Sequence, residues 1–339
     1  MSGAGVRDDA AGATPAPRDV LVLGGTAWIG GLVAARLAAR GDRVTCLARG
    51  TGGPAPDGTR LVRADRDRAD AYAAVESTEW DEVVDLTSSA EHARTAVAAL
   101  ADRARHWTLV STVSVYAAPA RPGDDETAAV VEPVDLEDYG QAKAAAERAV
   151  TAALAGRRMI VRPGLVVGPG DDSDRFGYWP ARAALAGDGP VLVPDAEGRR
   201  AQVIDARDLV DLVVDVGARR LDGVVDAVGE SVPLADVLDL AAEAAGSTGE
   251  RVVATDAQLT AADVRHWAGP RSLPLWLPHD AVGLTARSDA GIRALGARRR
   301  PLAETVRDVL DDERARGLDR PRRSGLTRAE ELQVLAALG

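Results

Sequence analysis

Two side chains in this sequence have types and a spacing that suit acid–base chemistry. Tyr139 and Lys143 lie four residues apart in the run Tyr-Gly-Gln-Ala-Lys, so on a helix they share one face. A phenol has an ordinary pKa of about 10, and a neighbouring ammonium favours the phenolate and lowers that pKa. Such a phenol can exchange a proton with a carbonyl or carbinol oxygen. Lys143 is also the only lysine among 41 basic residues, and lysine, unlike arginine, is compact and shifts its pKa readily.

Hydroxyl side chains follow a predicted strand at residues 106–111. They are Ser111, Thr112 and Ser114. A hydroxyl at this place can donate to a substrate oxygen and stabilise the charge that develops there. From the residues alone the three compete for this role, and each can equally satisfy local backbone groups.

A glycine-rich run joins the first predicted strand, residues 19–23, to the first predicted helix, residues 28–40. Glycine permits a tight turn, and the backbone N–H groups and dipole of the helix N-terminus attract a pyrophosphate. The run therefore predicts a nicotinamide dinucleotide site, with hydride transfer beside the phenol and a bond from Lys143 to the nicotinamide ribose. Its residues are Gly24, Gly25, Thr26, Ala27, Trp28, Ile29 and Gly30.

The second predicted strand, residues 43–48, ends at Arg49 and not at an acidic residue. An acid there would bind two ribose hydroxyls and favour NAD(H), whereas Arg49 can pair with a 2′-phosphate, so NADP(H) is favoured. The alternative is that Arg49 stacks on adenine or points into solvent. Asp65 is a candidate partner for the adenine amino group, or simply a turn residue. Further cofactor contacts are expected, besides Tyr139 and Lys143, at Arg66, Leu86, Thr87, Ser88 and Pro163.

Strand and helix patterns alternate as far as residue 162, including a helix predicted at residues 69–76. This alternation predicts an α/β parallel sheet that binds ligands beyond the carboxyl ends of its strands. After Pro163 the rhythm changes to weaker strands, which indicates a smaller mixed lobe. The predicted divisions are a disordered tail at 1–17, a dinucleotide-binding domain at 18–165, a substrate-binding lobe at 166–319 that can exchange segments with it, and a linker with a last helix at 320–339.

Composition restricts the partners. The formal net charge of −11 argues against nucleic acid, and no apolar stretch is long enough to predict a membrane helix. The single cysteine permits no disulfide within the chain, which suits a reducing cytosol. No His, Cys or Asp spacing suggests a metal site, and we expect none.

An aromatic and basic cluster follows the loop at residues 168–172. Its members are Arg175, Tyr178, Trp179 and Arg182. Arginine can hold a carboxylate or phosphate and an aromatic ring can stack on a substrate, so we predict that Arg175, Tyr178 and Arg182, together with Ser114, contact a small-molecule substrate. The alternative is a surface helix with its tryptophan packed inward.

These motifs together resemble the extended short-chain dehydrogenase/reductase family, also called the NAD-dependent epimerase/dehydratase family. The resemblance spans most of residues 19–310 and rests on the glycine run, on 111–116, on 139–143 and on Arg162-Pro163 leading to Gly168-Pro169. It implies a Rossmann-type doubly wound parallel sheet with a mixed α/β C-terminal substrate lobe. It also implies that Thr112, four residues before Tyr116, is the catalytic hydroxyl. Dimers are common in that family, so a homodimer is an expectation.

Three positions depart from the family pattern. Ala27 replaces the middle glycine of the fingerprint, Leu165 stands where many sugar-nucleotide epimerases carry asparagine, and Ala117 follows Tyr116 where glycine is frequent. The departures favour a reductase-like branch: an NADP(H)-dependent reductase or dehydrogenase of a polar small molecule. The alternatives are a sugar-nucleotide epimerase or dehydratase that retains NAD, and a non-catalytic nucleotide-sensing or RNA-binding member.

Overall fold

A computed structural model describes residues 16–118 and 120–338, so most of the tail predicted at 1–17 lies outside the described residues. Its centre is a seven-stranded sheet in the order β10-β6-β5-β4-β1-β2-β3, with every neighbouring pair parallel. This confirms the predicted fold class. The strands of the described residues are β1 Asp19–Leu23, β2 Arg43–Ala48, β3 Arg60–Arg63, β4 Glu82–Asp85, β5 Trp107–Val110, β6 Arg158–Pro163, β7 Leu165–Val167, β8 Val191–Pro194, β9 Arg200–Asp205, β10 Gly223–Ala227, β11 Ser231–Pro233, β12 Arg251–Ala254, β13 Arg265–His266 and β14 Ser272–Leu273.

Helices cover both faces of the large sheet. Because side chains alternate along a strand, Val20 and Val22 of β1 pack on one face with α1 and α5, while Leu21 and Leu23 pack on the other with α2 and α3. All four are fully buried, which explains why the strand is continuously apolar after Asp19. The helices are α1 Trp28–Ala39, α2 Ala90–Leu100, α3 Tyr139–Ala153, α4 Tyr178–Ala186, α5 Ala206–Ala218, α6 Leu234–Ala245, α7 Asp256–Ala261, α8 Ala290–Ala294, α9 Leu302–Arg316 and α10 Arg328–Leu338.

The prediction of a helix at residues 69–76 is wrong. The segment forms consecutive turns, in which Ala71, Ala73 and Val75 each donate an N–H bond to the carbonyl three residues earlier. Tyr72 and Val75 are buried in the sheet core. Tertiary packing of these two side chains therefore overrides the helix preference of the alanine-rich sequence.

The remaining strands form smaller sheets in the second half of the chain: β11-β9-β7, β12-β8 and β13-β14. A separate aromatic core, which includes Phe176, Tyr178, Trp179 and Trp276, holds this part together. β10 lies beyond residue 165, yet it pairs with β6 at the edge of the large sheet. The division into domains at 165 and 319 stays a prediction. No helix within the described ranges is both long and apolar enough to cross a membrane.

A buried polar network ties the ends of β5, β6 and β10 to α3. Arg162 on β6 forms a bidentate ion pair with Glu147 on α3, with N···O distances of 2.9 and 2.6 Å. The Ser111 hydroxyl donates to the same carboxylate at 2.5 Å. Arg162 also donates to the Tyr116 hydroxyl at 2.7 Å, and Tyr116 donates to Asp226 of β10 at 2.7 Å. Each polar group has a partner, as a buried network requires.

Replacing Gly30 tests the close contact at the start of α1. A Cβ at Gly30 would lie 2.2 Å from the Gly24 carbonyl oxygen, whereas one at Gly31 would lie 3.8 Å from that of Gly25. We expect Gly30→Ala to lower the free energy of unfolding by about 2 kcal/mol through overpacking, and Gly31→Ala to raise it by up to about 1 kcal/mol. Urea denaturation measures both. Equal midpoints for the two variants would contradict this account.

Removing Arg162 tests the buried network. Arg162→Met leaves Glu147 without its cation, and we expect a loss of about 3 kcal/mol in urea unfolding. The neighbouring Arg148 pairs with Glu132 at 2.8 Å on the surface. Arg148→Met is therefore the matched control and should cost less than about 1 kcal/mol. A similar loss in both variants would show that the network does not stabilise the fold.

Candidate active site

The glycine loop between β1 and α1 has a backbone that only glycine fits closely. Gly24 has φ +96°, in the left-handed region, and a Cβ at Gly25 would lie 2.6 Å from the Cys46 sulfur. Ala27 precedes α1 without a side-chain hydrogen bond to the helix, and the first turn holds no acidic residue. The N–H groups and dipole at the start of α1 are therefore available to an anion. This cradle fits the pyrophosphate of a dinucleotide.

The end of β2 lies beside this loop. A Cβ at Gly52 would lie 2.9 Å from the Thr26 carbonyl oxygen, so the chain after β2 passes directly against the glycine loop. Arg49 is exposed, and no ion pair or hydrogen bond of its side chain is present within the described residues. Its position at the carboxyl end of β2 leaves the guanidinium free for a ligand.

Other predicted cofactor residues lie at neighbouring strand ends. Asp65 and Arg66 follow β3, and 86–88 follow β4. The Arg66 guanidinium is occupied by the protein: it pairs with Asp85 at 2.8 and 3.1 Å and donates to the Tyr72 hydroxyl and the His92 carbonyl oxygen. The guanidinium is therefore committed to protein partners, and a cofactor contact at Arg66 stays a prediction for its backbone. Arg66 instead neutralises a carboxylate that is fully buried in the sheet.

Thr112 and Ser114 lie in the tight turn after β5. The Thr112 hydroxyl accepts a bond from the Ser114 N–H at 3.1 Å and donates to the Ser114 hydroxyl at 3.2 Å. A Cβ at Gly140 would lie 2.4 Å from the Ser114 carbonyl oxygen, so the start of α3 is in direct contact with this turn. The contact brings Tyr139, the first residue of α3, next to Thr112. The hydroxyl predicted to assist the phenol is therefore beside it.

Lys143 lies one turn further along α3. Its side chain is 4% exposed, and its ammonium donates to the Val110 carbonyl oxygen at 2.6 Å. Burial lowers the pKa of Lys143 to about 8, partly opposed by the carboxylates of Asp85 and Glu147. The ammonium is thus a buried cation whose proton is held weakly.

The phenol of Tyr139 does not show the lowered pKa that the sequence suggested. Desolvation raises the pKa of Tyr139, although its residue is half exposed, and the Thr112 hydroxyl and the charge of Arg175 act in the opposite direction. The ammonium of Lys143 is directed at the Val110 carbonyl instead. The charge of Arg175 acts to lower the pKa of the phenol in this structure, and acidification of Tyr139 by Lys143 stays a prediction.

A cavity of 670 Å³ joins the glycine-loop helix to Tyr139. Residues of the glycine run and of the predicted catalytic group both line this cavity. The substrate candidates Ser114 and Arg175 line it too, as does Leu165, which departs from the epimerase pattern. The predicted residues that line it are Trp28, Ile29, Thr112, Ser114, Tyr139, Pro163 and Arg175. The cavity therefore brings together the residues that the sequence predicted for cofactor, catalysis and substrate.

Two predicted substrate residues lie elsewhere. Tyr178 is fully buried in the C-terminal core, and Arg182 donates to the Leu326 carbonyl oxygen and lies 3.2 Å from Glu331. The Arg182 guanidinium lies over the Tyr178 ring at 5.2 Å. The prediction that these two contact substrate is wrong. Both lie on the face of α4 that packs inward, so they anchor the end of the chain and do not line the cavity.

Several lining residues were not selected from the sequence. Asp171, Gln202 and Thr285 come from three separate segments, and no spacing in the sequence relates them. Trp267 also lines the cavity, and its φ of +69° is unusual for a bulky residue. The Arg175 guanidinium lies 5.2 Å from the Trp267 ring centroid. The only signal in the sequence was that Asp171 belongs to the glycine-containing loop at 168–172.

Comparison with a curated protein gives a partial match. A segment of 192 residues is 37% identical to 2′-dehydrokanamycin reductase of Streptomyces kanamyceticus. The match covers 53% of this chain and 53% of that protein, so the chain spans about half the length of its curated relative.

Solved structures match over most of the chain. A candidate epimerase from Burkholderia cenocepacia superposes with a TM-score of 0.69 at 26% identity, covering 88% of this chain and 99% of that one. UDP-glucose 4-epimerase of Thermus thermophilus, solved with NAD, gives a TM-score of 0.63 at 20% identity, covering 87% and 99%. At 20% identity, the likeness to the Thermus thermophilus enzyme shows the fold alone.

The family assignment rests on the match of this sequence to the pattern shared by the members of one family. Residues 20–225 match the NAD dependent epimerase/dehydratase family, and this range holds the glycine loop, Thr112, Tyr139 and Lys143. The matched range exceeds half of the chain. This protein therefore belongs to the NAD-dependent epimerase/dehydratase family, whose members are NAD(P)-dependent enzymes of the extended short-chain dehydrogenase/reductase type.

Proposed function

We propose that this protein is an NADP(H)-dependent reductase or dehydrogenase that acts on a C=O/CH–OH centre of a polar small molecule. One observation carries the proposal: Thr112 and Tyr139 line the same cavity as Trp28 and Ile29 at the start of the glycine-loop helix. A proton donor and a dinucleotide cradle thus open onto one space large enough for a small molecule.

Three residues have separate roles in the proposed reaction. Tyr139 gives a proton to the substrate oxygen during reduction, or takes it during oxidation. The Thr112 hydroxyl donates to the same oxygen and keeps it next to the phenol. Lys143 holds a positive charge one turn behind Tyr139. Its ammonium donates one bond to the Val110 carbonyl oxygen, and a further N–H of the same group would bind the nicotinamide ribose. The bound nicotinamide would supply or accept the hydride.

Substrate contacts are proposed at two further residues of the cavity. Ser114 and Arg175 both line it, and Arg175 is suited to a carboxylate or phosphate. The name of the curated relative is that of a reductase, which supports net redox chemistry. A homodimer and a cytosolic location stay predictions.

The preference for NADP(H) rests on Arg49. Its guanidinium is exposed at the end of β2, beside the glycine loop, and no acidic residue stands at that strand end. An arginine there can form a charge-assisted pair with a 2′-phosphate, and it offers no acceptor to a free ribose.

A second candidate function is a sugar-nucleotide epimerase or dehydratase that oxidises and re-reduces one substrate. One structural neighbour, MoeE5, was solved with UDP-glucose and NAD, and it superposes with a TM-score of 0.62 at 21% identity. Against this function, Leu165 is an apolar lining residue where many such enzymes carry an asparagine. Tightly bound NAD(H) in the purified protein, without net cofactor turnover, would favour the second candidate.

Replacing Tyr139 tests the catalytic assignment. In an assay of NADPH oxidation with a panel of polar carbonyl compounds, Tyr139→Phe should lower kcat by about 10²- to 10⁴-fold, because the proton donor is lost. Tyr178→Phe is the matched control: its hydroxyl is buried without a hydrogen-bond partner in the described part of the chain, so activity should be unchanged. Full activity in Tyr139→Phe, or none in the wild type with any carbonyl, would overturn the proposal.

Replacing Arg49 tests the cofactor preference. Arg49→Asp removes a charge-assisted bond and adds repulsion, so the affinity for NADPH should fall at least about tenfold while that for NADH holds or rises. Arg43→Asp is the control, because this exposed arginine lies at the opposite end of the same strand. Calorimetric titration with each cofactor measures the ratio. An unchanged ratio in Arg49→Asp would show that the 2′-phosphate is not read there.

A further inference from the structure

Trp28 belongs to two parts of the site at once. It is the first residue of α1, so its backbone N–H is one of the groups at the helix N-terminus that form the anion cradle. Its indole N–H donates to the Pro169 carbonyl oxygen at 3.0 Å, although the two residues are 141 positions apart in the chain. Trp28 also lines the 670 Å³ cavity. Its backbone is therefore part of the cofactor cradle, while its side chain binds a loop of the C-terminal half.

The residue after Pro169 allows the indole to approach closely. A Cβ at Gly170 would lie 3.0 Å from the indole nitrogen of Trp28 and 3.2 Å from the adjacent ring carbon. Gly170 also has φ +84°, in the left-handed region that other residues rarely adopt. The backbone turn and the contact with the indole thus both favour glycine at this position. We call residues 168–175 the substrate-side loop, because four of them line the cavity.

Helix α9 also binds the backbone of the substrate-side loop. The Gly170 N–H donates to the Asp312 carboxylate at 3.1 Å, and the Arg316 guanidinium donates to the Asp171 carbonyl oxygen at 2.8 Å. Backbone groups of three consecutive residues are thus held by side chains from other elements. Of these three bonds, the one at Pro169 comes from the helix of the cofactor cradle. It joins the loop to the first half of the chain.

A series of hydrogen bonds continues along the substrate-side loop to Arg175. The Asp171 carboxylate accepts the Ser173 N–H at 2.8 Å and the Ser173 hydroxyl at 3.0 Å. The Ser173 hydroxyl in turn accepts the Nε–H of Arg175 at 3.2 Å. The Arg175 guanidinium lies 5.2 Å from the centroid of the Trp267 ring at the cavity. The placement of the loop backbone therefore determines where Arg175, the proposed substrate contact, reaches the cavity.

We propose that Trp28 is a positioning residue whose indole N–H sets the substrate-side loop, and with it Arg175, relative to the bound cofactor. The inference rests on the proposed function, since it takes α1 as the cofactor cradle and Arg175 as a substrate contact. Because Trp28 is in the first turn of α1, a dinucleotide bound at that turn also restrains the indole and, through it, the loop. Cofactor binding and substrate binding are then linked, and each favours the other.

Trp28→Phe tests the proposal, because phenylalanine keeps an aromatic ring at the cavity and removes the N–H. The measurement is amide hydrogen exchange of residues 168–175 in the full chain, without cofactor and with saturating NADPH or NADH. In the wild type, bound cofactor should slow exchange of the loop. In Trp28→Phe the loop should exchange about fivefold faster without cofactor, since one hydrogen bond is lost, and bound cofactor should no longer slow it. Gly170→Ala, whose Cβ would collide with the indole, should have the same two effects.

The matched control is Trp80→Phe. Trp80 also donates its indole N–H to a carbonyl oxygen, that of Val75 at 3.2 Å, but it lies at the amino end of β4, away from the strand ends that form the cavity. This variant should leave both the exchange of the loop and its response to cofactor unchanged. Cofactor binding without slower loop exchange in the wild type, or slowing that persists in Trp28→Phe, would overturn the proposal. A wild type that binds neither cofactor would instead overturn the proposed function, so the two failures are distinguishable.

Discussion

The candidate site depends on one close backbone contact, that between the start of α3 and the turn after β5. A side chain at Gly140 would collide with the Ser114 carbonyl oxygen, so the two segments can meet only because residue 140 is glycine. The contact fixes Tyr139 beside Thr112 without requiring a hydrogen bond between them. A larger residue at position 140 would push α3 away from the turn after β5. The phenol and the Thr112 hydroxyl would then be further apart, although each segment would keep its own conformation.

The buried network beneath this contact explains why the two segments keep their positions. Glu147 on α3 binds Ser111 at the end of β5 and Arg162 on β6, and Tyr116 extends the chain of bonds to Asp226 on β10. A buried charge pair of this kind adds little net stability compared with apolar residues, but it penalises any arrangement in which a partner is missing. It therefore favours one relative placement of strand ends and helix.

The electrostatics of the site come from both halves of the chain. The first half supplies a buried ammonium, Lys143, whose charge is weakened by desolvation. The second half supplies Arg175, whose charge is presented on an aromatic ring and has no direct carboxylate partner among the described residues. Tyr139 lies at the cavity that both halves form. A ligand that displaces water from this cavity would strengthen the interactions between these charges, because excluding water lowers the local dielectric.

The sequence by itself determined the parallel sheet, the glycine loop and the placement of Tyr139 and Lys143 on one helix. Each of these is encoded locally: a buried strand by its continuous apolar run, the loop by glycines at fixed offsets, and the pair of Tyr139 and Lys143 by their spacing on one helix. Among Ser111, Thr112 and Ser114 the local pattern left the choice open, and the resemblance to the family implied Thr112, four residues before Tyr116. For these features the residues that matter are neighbours in sequence.

Only the tertiary structure decided which other side chains reach the site. Tyr178, Arg182 and Arg175 lie in one short stretch of the chain, yet two are buried in the C-terminal core and the third lines the cavity. Trp267 meets Arg175 across more than ninety residues of sequence. Lys143 directs its ammonium to the Val110 carbonyl oxygen on another element, and desolvation by the surrounding segments raises the pKa of the Tyr139 phenol. Burial and charge depend on distances between segments that are remote in the chain, and no local pattern encodes those distances.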